Sequence, residues 1–577
     1  MTHDQATTHD QATTHDQVIT EGAADRAGSD PFRTHQVDNQ VPPLLGHDLA
    51  DDPALLAGLD REGAGWSIDA LHTLGRRLGG GQVQEWAVQA NEHPPRLHTH
   101  DRYGHRIDEV SFHPAWHQLM DLSIGAGLAG DPWARPRPGA HVSRAGGFFL
   151  TGQVESGHGC PVSMTYAAVP ALRHAPELAA RYEPLLTARA YDPGLRPFRD
   201  KAGLVAGMGM TEKQGGSDVR ANTTLAVGRA DGSYQLTGHK WFTSAPMSDL
   251  FLVLAQAPGG LTCFLLPRVL DDGQRNRIRL QRLKDKLGNR SNASSEIELE
   301  QAVAFRVGDE GRGVPTIIEM VMHTRLDCVI GSAALQRAAL VQAVHHARHR
   351  RAFGALLVDQ PAMTNVLADL AVEAEAATLL MLRLAGAVDR AAAGDANETA
   401  FRRLATAVGK FWVCKRTPVV VGEALECLGG NGFVEESGLP RMYRESPLNS
   451  IWEGSGNVNA LDVLRALGKD PESWTVLRAE LGAASGADAR YDAALADLDH
   501  RLGALVGAEP AVAQASARRV VERMALLLAG SQLLAHAPAA VADAFCASRL
   551  AGDAGGVLGT LPPSAAHRQI VARVLPT

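Results

Sequence analysis

The sequence predicts a mainly α-helical protein with a small β-domain near its middle. Three observations carry that expectation. Segments rich in Ala, Leu and Glu repeat their apolar residues three and four apart, as in Ala333 to His346 and Val366 to Ala393. Between Gly203 and Val307 the texture changes to short alternating or apolar runs separated by Gly and Pro. Helical texture then returns after Pro315 and persists beyond Pro471.

Taken in order, residues 1–33 read as a disordered low-complexity tail. They repeat Thr2-His3-Asp4-Gln5 as Thr8-His9-Asp10-Gln11 and Thr14-His15-Asp16-Gln17, with little to bury. Residues 34–202 read as an N-terminal helical domain broken at Pro42-Pro43, Pro94-Pro95 and Pro136-Arg137-Pro138-Gly139. Residues 203–307 read as the middle β-domain. Its strands are expected around Tyr234 to Leu236, Leu250 to Ala255 and Thr262 to Leu266, with turns at Asp231-Gly232, Pro258-Gly259-Gly260 and Asp272-Gly273. Residues 308–470 read as a second helical domain, with helices over Phe401 to Leu428 and Asn457 to Leu467. Residues 471–577 read as a C-terminal helical extension.

Composition narrows the class. The 577 residues carry 56 Lys and Arg against 64 Asp and Glu, a net charge of −8. With 45 % apolar and 21 % charged residues the chain is globular, not disordered, collagen-like or a coiled-coil rod. The acidic average excludes bulk-charge coating of nucleic acid but not a local basic groove. Six cysteines form no CxxC pair, so buried reduced thiols and no metal site are expected. The polar N-terminus does not read as a signal peptide, and no run of ~18 apolar residues is long enough to span a bilayer. The expectation is a cytoplasmic protein.

Three motifs carry chemistry. Met210 to Val219 places hydroxyls and Gly215-Gly216 on a loop, where backbone N–H groups approach an anion closely; an ordinary Gly turn is equally open. Trp241-Phe242-Thr243-Ser244 sets an indole beside a hydroxyl, suited to a flat ring and its polar edge; two core aromatics read the same way. Asn449 to Asn457 contains Trp452-Glu453-Gly454. A lone carboxylate between an aromatic and a glycine suits a general base with a raised pKa, and Ser455 or Asn457 suits a helix cap.

In this order and spacing the motifs resemble the acyl-CoA dehydrogenase superfamily, from about Gly203 to Leu467. Lys286 to Arg290, Gly308 to Gly313, Arg350 to Gly354 with Gln360, and Gly429 to Phe433 also match its landmarks. Met208 to Val219, Gly238 to Phe242, Leu283 to Ser294, Glu62 to Trp66, Phe112 to His117 and the region past Pro471 resemble its AidB-like branch, flavoproteins of the response to DNA alkylation.

The resemblance implies an acyl-CoA dehydrogenase-like fold of helical domain, β-barrel-like domain and helical bundle, and FAD as cofactor. It implies flavin contacts from Met210, Thr211, Gly216, Ser217, Trp241, Phe242, Thr243, Ile451, Trp452, Gly454, Ser455 and Asn457. Arg350, Phe353, Gln360, Gly429 and Gly430 resemble residues that reach the FAD of a neighbouring subunit, which implies a homo-oligomer, by precedent a tetramer. Glu453 is the implied base, bordered by Arg325; the base position of some relatives falls at Thr324, which carries no carboxylate.

Double-stranded DNA is a further implied partner, with Arg518, Arg519 and Arg523 as one helical stripe in an extension that has no Lys and slightly more acids than arginines. Three functions are open. One is a DNA-associated flavoprotein that limits alkylation damage and keeps dehydrogenase capacity toward an acyl-CoA such as isovaleryl-CoA. Another is a metabolic short- or branched-chain acyl-CoA dehydrogenase. A third is an interaction protein stabilised by flavin.

Overall fold

Short helices set the first third of the chain around its Pro and Gly breaks: α1 (Pro53–Arg61), α2 (Ile68–Gly79) and α3 (Gly81–Glu92). Asp52 opens α1 by accepting from the N–H of Ala54 at 2.9 Å, with Pro53 in the first turn. The computed structural model describes residues 35–575, so the expected 1–33 tail lies outside the described residues. Residues 35–42 form neither helix nor strand, and the chain from Pro43 onward is one compact unit.

The N-terminal region is not purely helical. Strands β1 (Arg96–His100) and β2 (Arg106–Ser111) form an antiparallel hairpin that the sequence did not announce. Asp101 closes the turn by accepting from the N–H groups of Tyr103 and His105 at 2.8 and 2.9 Å. Helices α4 (Pro114–Gly125), α5 (Asp131–Ala134), α6 (Ala140–Gly152), α7 (Gly159–Leu172) and α8 (Pro176–Leu186) follow.

The middle strands are β3 (Ala206–Gly209), β4 (Leu225–Gly228), β5 (Tyr234–Ser244), β6 (Leu250–Ala257), β7 (Gly260–Pro267), β8 (Ile278–Leu283) and β9 (Ser294–Val307). They run in the order β3-β6-β4-β5-β9-β7, β8 pairs with β9, and β6 also pairs with β7, which closes a barrel. Strand β6 explains its own continuous apolar run. Phe251, Val253 and Ala255 fill the barrel, while Leu250, Leu252 and Leu254 pack with α7 and α8.

Helix α9 (Gly313–His349) links barrel and bundle. Ile317 and Met320 join the core shared with the barrel, whereas Val329 to Val344 join the bundle core. The hairpin β10 (Arg351–Ala352) and β11 (Ala355–Leu356) leads into α10 (Pro361–Ala392) and α11 (Ala396–Cys427). Then come α12 (Leu439–Glu445), α13 (Gly456–Lys469) and the extension α14 (Pro471–Gly482), α15 (Ala489–Leu505), α16 (Pro510–His536), α17 (Ala539–Phe545) and α18 (His567–Ala572). Leu477, Leu481, Leu498, Leu527 and Leu528 of the extension are buried in the same core as α9 to α11. All six cysteines are free and buried. Among the described residues no helix is long and apolar enough to cross a membrane, and no cluster fit for a metal ion occurs.

Candidate active site

The Glu453 loop runs from the short helical turn Leu448–Ser450 to α13. Glu453 has φ +56°, a left-handed conformation that costs a non-Gly residue free energy, so its neighbours must impose it. They do so through the backbone. Lys410 of α11 is buried and donates from Nζ to the carbonyls of Asn449 and Gly454, both at 2.9 Å. Arg325 of α9 donates from Nε to the Glu453 carbonyl at 3.0 Å and pairs through its other arm with Asp462 of α13 at 2.9 Å. Asn459 donates to the Gly454 carbonyl at 2.5 Å. Trp452 donates from Nε1 to Asn449 at 2.9 Å.

The side chain is set differently. Glu453 as a residue is half-buried, yet its Oε2 is buried and has no hydrogen-bond partner among the described residues. Burial pushes the carboxyl up from the usual range; the Thr324 hydroxyl and the charges of Lys410 and Arg325 pull it part of the way back. Lys410 carries no motif and was missed in the sequence. Its only signal is a lysine inside the apolar run Val408 to Val413.

The opposite wall belongs to the barrel. Glu212 and Lys240 form a fully buried ion pair at 2.8 Å. Glu212 also accepts from the N–H and hydroxyl of Thr224 at 3.1 and 2.6 Å and from the N–H of Thr223 at 2.7 Å. These bonds hold its carboxyl well below the usual range against the cost of burial. The loop after Met210 is thereby fastened to β5. A Cβ on Gly216 would lie 2.4 Å from the Thr211 hydroxyl, so the loop folds tightly over Thr211 only with glycine there. Thr211 is half-buried and Ser217 exposed. The Trp241 N–H donates to the Thr211 carbonyl at 2.8 Å, which joins the two motifs directly. Thr243 is buried, and its hydroxyl has no partner among the described residues.

A seam joins the two walls. Glu445 of α12 accepts from the N–H and Nδ2 of Asn289, at 2.5 and 2.9 Å. A Cβ on Gly288 would lie 2.4 Å from the Arg444 carbonyl, so the chain passes α12 at glycine distance. Burial, with the nearby charge of Glu155, pushes Glu445 up to about 7; burial brings Lys286 down to about 8. This is where the Lys286 to Arg290 motif lies.

The remaining sequence candidates fall apart from this pocket wall or at its rim. Ser455 is the N-cap residue of α13, but its side chain makes no capping bond, so the first-turn N–H groups are left for another acceptor. Ile451 and Phe242 are exposed. Gln360 donates to the Ala352 carbonyl at 3.1 Å and opens α10. Phe353 is 100 % exposed at φ +52°, at the tip of the β10–β11 hairpin; Arg350 precedes it. Gly429 and Gly430 lie in a short helical turn after α11. Arg518 and Arg519 are exposed on α16, and Arg523, one turn on, pairs with Asp497 at 3.2 Å.

A helical domain, a closed barrel and a helical bundle, with an unpartnered carboxylate on the loop before α13, define the class. Residues 39–193 match the adaptive response protein AidB N-terminal domain, 207–302 the acyl-CoA dehydrogenase middle domain and 311–468 the acyl-CoA dehydrogenase C-terminal domain. The chain belongs to the AidB type of the acyl-CoA dehydrogenase family and by that membership is an FAD-dependent oxidoreductase. It is 47 % identical to AidB of Escherichia coli (strain K12) over 521 residues, covering 89 % of this chain and 94 % of the relative. It is 33 % identical to acyl-CoA dehydrogenase family member 11 of Caenorhabditis elegans over 451 residues, 74 % of this chain and 72 % of the relative. The crystal structure of Caenorhabditis elegans ACDH-11 with C11-CoA superposes with a TM-score of 0.80 at 26 % identity, covering 95 % of this chain and 94 % of that one.

Proposed function

We propose that this chain removes the α-proton of an acyl-CoA thioester with Glu453 while the β-hydride leaves the substrate. The observation that supports it is the buried, unpartnered Glu453 Oε2 on a backbone that Lys410 and Arg325 hold in place. A carboxylate short of hydrogen-bond donors and water is a strong base at neutral pH. The orphaned Thr243 hydroxyl, the tight Gly216 fold and the uncapped α13 suit a flat polar ring and an anionic tail. Bound FAD supplies the hydride acceptor. Thr211, Met210, Gly216 and Ser217 would hold it from the loop, Trp241, Phe242 and Thr243 from β5, and Ile451, Trp452, Gly454, Ser455 and Asn457 from the Glu453 loop. Thr324 steadies the carboxyl of Glu453, and Arg325 fixes its backbone.

A fully exposed phenylalanine on left-handed backbone has nothing to gain alone. Phe353 therefore supports a homo-oligomer, with tetramer as the family precedent, in which Arg350, Phe353, Gln360, Gly429 and Gly430 reach a neighbour's cofactor. Six buried free thiols suit a reducing cytoplasm. The experiment is an anaerobic spectrum of the purified protein before and after isovaleryl-CoA. Bleaching of a yellow protein, lost in Glu453→Gln, is expected. A protein that cannot be loaded with FAD contradicts the reading.

A second reading is supported by the two exposed arginines of α16: non-specific binding of double-stranded DNA as part of protection against alkylation. It expects affinity for duplex DNA that falls steeply with salt and drops in Arg518→Ala with Arg519→Ala. Binding that ignores salt, or none in dilute buffer, removes it.

A further inference from the structure

Strands β5 and β9 lose register at the indole. Lys240 pairs with Ile297 and Thr243 with Ser295, so Trp241 and Phe242 together oppose the single residue Glu296. That is a β-bulge, a device that re-aims a side chain and frees a backbone group from the ladder. Here the Trp241 N–H is freed to bond the Thr211 carbonyl at 2.8 Å.

The same Glu296 also pairs with Arg282 across β8 and β9. Its Oε1 accepts from Arg282 Nε at 2.7 Å and from Lys284 Nζ at 2.6 Å. The tethered Lys284 ammonium lies 3.6 Å from the centre of the Trp241 ring, and 4.5 Å from that of Phe242. Arg282 and Lys213 sit farther out, at 5.7 and 5.8 Å from the Trp241 centre. A cation at the centre of an indole face is held by the ring quadrupole. An indole has two faces, and this contact occupies one.

We propose that Lys284 is a positioning residue for Trp241: tethered by Glu296 opposite the bulge, its ammonium covers one indole face and fixes the other toward the isoalloxazine ring. The inference rests on the reading of Trp241 as a flavin contact. Nothing in the motif Trp-Phe-Thr asks for it; it comes from one acid facing two strands at a register break.

The full-length protein is stripped of FAD and retitrated as wild type, Lys284→Met, Lys284→Arg and Glu296→Gln. Flavin fluorescence, the visible band and thermal unfolding are followed. Lys284→Met is expected to weaken FAD binding about 5-fold and to change flavin fluorescence, with the melting temperature of the FAD-free protein unchanged. Lys284→Arg restores both, and Glu296→Gln falls between. Unchanged or tighter binding in Lys284→Met overturns the proposal, as does an arginine variant no better than methionine. A wild type that takes up no FAD overturns it together with the flavin reading beneath it, whereas a yellow wild type with an indifferent Lys284→Met removes this proposal alone.

Discussion

The two walls of the site are fixed by opposite means. The barrel wall is organised around a buried carboxylate, Glu212, which gathers Lys240, Thr223 and Thr224 and so ties a loop to a strand. The helical wall is organised around buried cations, Lys410 and Arg325, which gather carbonyl oxygens and so tie a strained loop to three helices. On the first wall the acid is structural and is held ionised. On the second the acid, the proposed base, is kept short of donors, and its pKa is raised. One residue type therefore takes two roles, according to how many donors the fold supplies.

The comparison breaks most visibly at the proposed base. Glu453→Gln is expected to slow substrate-driven flavin reduction by about 10³-fold or more at unchanged FAD content, as measured by anaerobic stopped flow. Next comes the structural acid. Glu212→Ala strands Lys240 in the interior and is expected to cost about 3 kcal/mol in denaturant unfolding, whereas Glu212→Gln with Lys240→Met together costs less. Lys410→Met removes two carbonyl bonds from the strained loop. It is expected to slow reduction about 100-fold while leaving FAD bound, because the loop can relax away from φ +56°. That separates loop geometry from cofactor affinity.

The seam sharpens the contrast through pH. Glu445 sits at about 7, above its unfolded value, so its protonated form is favoured in the fold. The stability it adds is complete below the unfolded carboxyl pKa and is lost as pH rises through about 7. Glu445→Gln is expected to flatten that loss, gaining about 2 kcal/mol on wild type between pH 5 and pH 8 in chemical unfolding curves. The smallest effect is Arg325→Lys. It keeps the charge but loses the fork between Glu453 and Asp462, and is expected to cost about 10-fold in reduction rate.

Much of this was legible. The continuous apolar run of β6 follows from burial on both faces, and the Ala- and Leu-rich runs of α9 and α10 from burial nearly all round, which sequence records directly. Glu453 and Arg325 were singled out through their motifs, and the fold brings them into contact at 3.0 Å. The β1–β2 hairpin was not, because Arg96 to Ser111 alternates only weakly, with Leu97 and Val110 its main apolar contacts to the barrel. Lys240 and Lys410 were hidden for another reason. Lys240 sits in a motif that gives no sign of its partner, and Lys410 reads as a stray charge in an apolar run; in both cases the partner comes from chain packing rather than from local pattern: Glu212 for one, the Asn449 and Gly454 carbonyls for the other.

The most direct test of the account is the pH dependence of anaerobic flavin reduction by isovaleryl-CoA. If burial makes Glu453 the base, the rate rises with pH along a limb whose pKa lies clearly above the ordinary glutamate value, and Glu453→Gln has no such limb. A limb at the ordinary value, or bleaching that persists undiminished in Glu453→Gln, would contradict it.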